Sequence, residues 1–242
     1  MWRNSLPKIR CMTHTIRIIS SMATKPLLAE LVALYQPQHD LAVQVESVGG
    51  VDAAKRVQAG EAFDLVILAR NAMDSLAAAG KLVSASLTDL VRSGVAVAVP
   101  AGAAQPDIRS GDAVRQAVLD AATLGYSTGP SGVQLAKLFE RWGIADAIKS
   151  RIVQAPPGVP VGALIAKGEV TLGFQQLSEM LNVPGVDLVG MLPPDIEIIT
   201  TFSGAVAASC ANAGPARELL AFFASRACAE AISRQGMEPA TL

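Results

Sequence analysis

The chain has 242 residues, of which 51% are hydrophobic, 4% aromatic and 17% charged, and its formal net charge is −1. That length gives one large domain or two smaller ones, each able to bury a core; the balanced charge offers no basic field for duplex nucleic acid, and the apolar content excludes disorder. The positive mean hydropathy of +0.38 comes from Ala and Val spread along the chain, with no run of about 18 uncharged apolar residues, so no membrane insertion is expected.

Strands and helices alternate from residue 15 onward. Residues 15–19 read as a strand and 26–36 as a helix, with Pro26 suited to the first turn and Leu27, Leu31 and Leu34 sharing a face. A strand at 41–46 precedes a helix over 52–58 that stops at Gly60. The run FDLVILA at 63–69 is nearly all apolar, as in a strand covered on both faces. Asn71 is placed to cap a helix over 72–79 that ends at Gly80. The second part repeats the theme, with strands at 95–99, 124–127, 152–154, 170–175 and 187–189 and helices over 112–122, 131–142 (stopping at Gly143) and 161–167. A long strand-like segment at 198–209 and helices at 215–225 and 227–234 complete the chain.

This alternation predicts an α/β fold with mostly parallel sheets. Two apolar, β-rich segments interrupted by Gly or Pro, 95–102 and 199–209, read as crossovers between lobes. They predict two Rossmann-like lobes joined by two crossover strands: residues 1–96 with 204–242 form lobe one, 97–203 form lobe two, and a ligand cleft lies between. A single doubly wound domain is the simpler alternative.

Metal and thiol chemistry are poorly supplied. The three cysteines, Cys11, Cys210 and Cys228, have no metal spacing and make no disulfide framework, and His14 and His39 are the only histidines. No metal site and no cofactor are therefore expected. Residues 1–11 carry Arg3, Lys8 and Arg10 but lack a following apolar stretch of about 7–15 residues, so no secretory signal is read and the sequence as it stands predicts a cytoplasmic protein. Met12 is an alternative start.

Three strand-to-helix turns carry the chemistry. Ser20 and Ser21 follow the first strand, Gly49 and Gly50 the second, and Thr128, Ser131 and Gly132 lie in the turn after the strand at 124–127. Unpaired amides of a first helical turn attract anions, and hydroxyls add donors without excess charge. The competing role for each such turn is ordinary helix capping. No Walker or GxGxxG pattern supports a nucleotide. Arg70 should emerge at the carboxyl end of a buried strand, either gripping a carboxylate or pairing with Asp74. Gln175 and Gln176 end another strand, where alternation puts only one of them toward the cleft. Asp52, Asp64, Glu179 and Asp187 lie near turns, but no spacing marks a working acid/base pair.

Taken in order, I-I-S-S (18–21), R-V-Q-A-G-E-A-F-D-L-V-I (56–67), P-S-G (130–132) and G-A-L-I-A-K-G-E-V-T-L-G-F (162–174) resemble the type II periplasmic solute-binding proteins, specifically the molybdate-binding protein family, across residues 15–239. The resemblance implies the type II periplasmic-binding-protein fold and a receptor, usually periplasmic, that hands an oxyanion to an ABC transporter permease. It implies a ligand serine at Ser21 and an amide donor at Ser131. The family's second serine falls at Gly49 or Gly50, its tyrosine at Gln176, and an acidic residue after the third strand is replaced by Arg70. A further amide donor aligns near Pro160, which has no N–H, leaving Val161 to substitute. Losing a hydroxyl, an amide and a phenol while gaining a cation favours a planar organic carboxylate over a tetrahedral oxyanion. The segments G-F-Q-Q-L-S-E (173–179) and V-P-G-V-D (183–187) resemble an aconitate-isomerase-like branch. A receptor for a small anion is therefore expected, with isomerisation of an unsaturated tricarboxylate as the alternative and Lys25 or Glu179 as its candidate base.

Overall fold

A computed structural model describes residues 15–156 and 158–240. Cys11, His14 and the expected N-terminal tail lie outside the described residues.

The chain runs β1 (Thr15–Ser21), α1 (Lys25–Tyr35), β2 (Ala42–Val48), α2 (Gly50–Gln58), β3 (Leu65–Ala69), α3 (Arg70–Ala78) and β4 (Thr88–Pro100). It continues with α4 (Gly111–Asp120), β5 (Leu124–Ser127), α5 (Pro130–Arg141), α6 (Ala145–Ile148), β6 (Ile152–Ala155), α7 (Val161–Ala166), β7 (Leu172–Gln176) and α8 (Leu177–Met180). The last elements are β8 (Val186–Met191), β9 (Ile199–Val206), α9 (Ala213–Phe223), α10 (Ala229–Arg234) and β10 (Glu238–Pro239). The expected stops at Gly60, Gly80 and Gly143 fall where those residues take φ of 88°, 69° and 68°, a left-handed conformation that glycine enters without penalty.

One mixed sheet links all the strands, in the order β2-β1-β3-β9-β4-β7-β5-β6, with β8 and β10 also pairing with β4. Each end is parallel: β1 lies between β2 and β3, and β5 between β6 and β7. The middle is antiparallel, so the sheet is less uniformly parallel than the alternation predicts. β4 joins the two ends, its Thr88–Gly94 stretch pairing with β9 and its Val95–Pro100 stretch with β7 and β8. The expected second crossover, 199–209, pairs instead with β3 and the first stretch of β4. The chain returns just before it, where the Val95 amide donates to the Ile198 carbonyl and the Leu192 amide to the Val95 carbonyl.

Helices cover both faces of each end, which explains the continuous apolar strands. Every residue of β3 is buried. On one face of β3, Leu65 and Ile67 pack with Leu28, Leu31 and Phe223; on the other, Val66 and Leu68 pack with Ala53, Met73 and Leu76. In the second half, Phe139, Phe174 and Leu135 centre one core, and Val161, Ile165 and Met180 the other. Burying each such large side chain stabilises the fold by about 1.5–3 kcal/mol. Asn71 lies within α3, whose N-cap is Ala69, rather than at its cap. His39 stacks on Tyr35 with ring centroids 3.7 Å apart and shares a 2.8 Å hydrogen bond with the Tyr35 carbonyl, a structural role.

Candidate functional site

A cleft of about 1340 Å³ lies where the two halves of the sheet present the carboxyl ends of their parallel strands. One wall carries Ser21, Gly49, Gly50, Ala69 and Arg70, and the other Thr128, Gly129, Pro130, Ser131 and Pro160. Gln175, Gln176, Glu179, Thr200 and Asp89 complete the lining.

The starts of α2, α3 and α5 at this cleft are open, while the first amide of α7 is engaged by Gln175. The N-cap positions Ser21 (of the 3-10 turn Met22–Thr24), Gly49, Ala69, Gly129 and Pro160 make no side-chain cap hydrogen bond. At α4, which starts away from the cleft, Ser110 closes the first turn by accepting from the Ala113 amide at 3.2 Å. Helices away from the cleft, such as α1, α9 and α10, also begin without a side-chain cap, so it is the convergence of these starts rather than their openness that marks the cleft. First-turn amides and the positive ends of α2, α3 and α5 border a common space, an arrangement suited to an anion.

Seven of the expected ligand residues line the cleft: Ser21, Gly49, Gly50, Arg70, Thr128, Ser131 and Gln176. Three do not. Ser20 is fully buried and its hydroxyl bonds to that of Ser47 at 2.7 Å, because alternation along β1 turns it away from Ser21. Gly132 packs under the turn; a Cβ there would come within 1.7 Å of the Ser127 carbonyl oxygen, so its role is to let α5 begin close to β5. The Val161 amide, expected to face a ligand, donates instead to Oε1 of Gln175 at 2.7 Å.

That last bond organises the floor. With Oε1 of Gln175 fixed by Val161, its Nε2 donates to Oε1 of Glu179 at 2.8 Å. Burial raises the Glu179 carboxyl to a pKa of about 7 even though the Gln175 hydrogen bond favours the carboxylate. Beside it, Nε2 of Gln176 donates to the Thr200 hydroxyl at 2.7 Å, while its buried Oε1 has no partner among the described residues. Both glutamines line the cleft because they stand at the very end of β7 and reach it by different routes, Gln175 toward the start of α7 and Gln176 toward Thr200 of β9.

Arg70 takes the second of its expected roles, pairing with Asp74, while also bordering the cleft. Its Nε donates to Asp74 at 2.8 Å and its Nη1 to Asp89 at 2.9 Å. Burial alone would raise the Asp89 carboxyl, but hydrogen bonds from Ser203 and Arg70 outweigh it and hold the group below its usual range. Of the other acid/base candidates, Asp52 lines the cleft and Lys25 does not. Asp64 accepts from the Arg17 amide and Asp187 from the Gly102 amide, each at 2.8 Å, which commits both to backbone. No cluster of metal-ligating side chains occurs among the described residues, and no helix among them is long and apolar enough to cross a membrane.

Sequence reading missed the Val161–Gln175–Glu179 chain and the contributions of Asp89 and Thr200. The signal for the first lay in Q-Q-L-S-E, where Gln175 and Glu179 stand four apart across a strand end and one helical turn.

Two parallel-stranded halves that share β4 and turn open helix starts toward one cleft define a solute-binding architecture. The family model of bacterial extracellular solute-binding proteins matches residues 16–238, and the chain belongs to that family. An aconitate isomerase from a Pseudomonas species is 35% identical over 233 residues, covering 93% of this chain and 88% of that protein. Among solved structures, the periplasmic molybdate-binding protein of Azotobacter vinelandii superposes with a TM-score of 0.77 at 16% identity, covering 92% of this chain and 98% of that one. A sulfate-binding protein from Mycobacterium tuberculosis gives 0.75 at 16% identity, covering 94% and 88%. At such identities these two likenesses establish the fold, as expected from sequence, and say nothing of the ligand.

Proposed function

We propose that the cleft takes an unsaturated organic tricarboxylate and that the protein isomerises it, as an aconitate isomerase does. The observation that carries this reading is Glu179: a carboxyl on the cleft floor, poised near neutrality by burial and held in place by Gln175. An ionised carboxyl on the floor repels an anion that is merely bound, whereas proton transfer is most efficient when the catalytic pKa lies near the working pH. The relative at 35% identity supports the same reading.

In this mechanism the Glu179 carboxylate removes a proton from the methylene carbon next to the double bond. The C–H electron pair enters the conjugated system, and the former double bond opens toward its far carbon. Glu179 then returns the proton to that far carbon, leaving the double bond one position along. No atom is gained or lost, so no co-reactant is needed. Charge that develops on the substrate carboxylates is met by the helix-start amides of α2 and α5 and by the Ser21 hydroxyl, donors already oriented before reaction. The ligand contacts in this proposal are Ser21, Gly49, Gly50, Arg70, Thr128, Ser131 and Gln176, whose unpaired Oε1 is free to accept a hydrogen bond from water beside the ligand. The moving bodies are the expected lobes, 1–96 with 204–242 and 97–203; the pairing of β9 with β4 favours placing the return near residue 198.

The family description favours a second reading, a receptor that delivers an anion to an ABC transporter. One experiment separates the two. The protein is incubated with cis-aconitate and the solution followed by proton NMR for the trans isomer, alongside melting curves with molybdate, sulfate and cis-aconitate. Conversion supports the isomerase. Stabilisation by cis-aconitate without conversion supports a carboxylate receptor, and stabilisation by molybdate or sulfate alone overturns the organic-anion reading.

A further inference from the structure

The two walls of the cleft carry the same short pattern. On α2, Val51 is followed one turn later by Lys55; on α5, Val133 is followed one turn later by Lys137. All four side chains line the cleft and all four residues are exposed. Val51 and Val133, at 50% and 49% exposure, belong to a short set of large apolar side chains left open to solvent, and both of them belong to this one cleft. Among the described residues, neither lysine has an ion-pair partner, whereas the cleft's other cation, Arg70, is held by Asp74 and Asp89. The lysines thus stand on opposite walls, each one turn further from its helix start than an exposed valine.

We infer that Lys55 and Lys137 are a two-sided clasp for the outer carboxylates of a polycarboxylate ligand, and that Val51 and Val133 meet to seal the cleft when it closes. The inference rests on the tricarboxylate reading above and adds how that ligand is selected. Neutral amides and hydroxyls can hold one carboxylate, but a trianion also needs cations that are not already spent. Arg70 is largely neutralised by its two aspartates, and an ionised Glu179 on the floor repels the same ligand, so the balance falls to the lysines. Without an anion, two like charges brought together by closure oppose it; a ligand with carboxylates reaching both walls removes that opposition. Closure, and the water exclusion that strengthens every interaction inside, would follow binding of a di- or tricarboxylate but not of a monocarboxylate. The apolar valines then gain burial in the closed form alone, which is differential stabilisation of that state.

The test uses tricarballylate, the saturated tricarboxylate, which has no double bond to shift. Its binding to the intact protein is measured by calorimetry at low and high salt, and compaction is followed by small-angle X-ray scattering. Wild type is expected to bind, with affinity that falls as salt rises, and to become more compact. Lys55→Met and Lys137→Met should each weaken binding roughly five- to tenfold, and the double variant should lose compaction. Lys167→Met, which removes the same charge from an exposed position away from the cleft, should behave as wild type. Melting curves without ligand check that each variant folds. Variants that bind and compact as wild type does overturn the clasp while leaving the tricarboxylate reading intact; wild type that does not bind tricarballylate overturns both.

Discussion

The two walls of the cleft differ in how their donors are used. On the first, Ser21, Gly49 and Gly50 present a hydroxyl and open helix starts, and the local sequence already has the composition of such turns. On the second, α5 presents an open start at Gly129, but the α7 amide of Val161 is occupied by Gln175, which passes its other hydrogen bond on to Glu179. The first wall thus keeps its donors open, and the second commits one helix-start amide to orienting a carboxylate. One redirected side chain, Gln175, is what makes this solute-binding fold a candidate for proton chemistry.

The largest expected effect tests that division of labour. Glu179→Gln should lower conversion of cis-aconitate by about 10²–10⁴-fold while calorimetry still shows tricarballylate binding; equal loss of both would place Glu179 among the binding groups alone. Next in size is Gly132→Ala. A Cβ at 1.7 Å from the Ser127 carbonyl must displace backbone, so urea unfolding should show a loss of about 1–3 kcal/mol. Gly214→Ala, where a Cβ meets nothing within 4 Å inside α9, should leave stability unchanged or raise it by about 0.5–1 kcal/mol.

Changes in pH sharpen the account of the second wall. If the working base is the Glu179 carboxylate, kcat/KM rises with pH through about 7. Removing the donor in Gln175→Ala should move that midpoint further upward, because the hydrogen bond that favours the charged form is gone. Stability runs the other way. The native state holds a proton on Glu179 between the ordinary carboxylate value of 4.5 and about 7, where the unfolded chain has released it. This group therefore favours the folded state at acid pH, and its contribution is lost as pH rises through that window. Urea midpoints measured across it should fall less steeply in Glu179→Gln. A modest effect belongs to the first wall: Ser21→Ala removes one hydroxyl and should weaken tricarballylate binding by about 1 kcal/mol, roughly fivefold.

Much of the fold was legible because local signals agreed with the final packing. The apolar run before Arg70, the left-handed glycines at 60, 80 and 143 and the leucines of α1 each mark an element on their own. The first stretch of β4 was not legible: Asp89, Arg92 and Ser93 break its apolar pattern. Asp89 is there to receive Arg70 and Ser203, partners far away in sequence. The same holds at the site. Turn chemistry pointed to Ser21, Gly49, Gly50 and Ser131, whereas the fate of the Val161 amide depends on which rotamer of Gln175 fills the space beside it, a tertiary fact that no spacing encodes.

The most direct test of the central claim is a crystal structure with tricarballylate bound. Its carboxylates are expected at the open starts of α2 and α5, with a ligand methylene carbon within about 3–3.5 Å of a Glu179 carboxyl oxygen, the distance proton transfer requires. Ligand density away from those helix starts, or a Glu179 carboxyl turned from the ligand carbon, would contradict that claim.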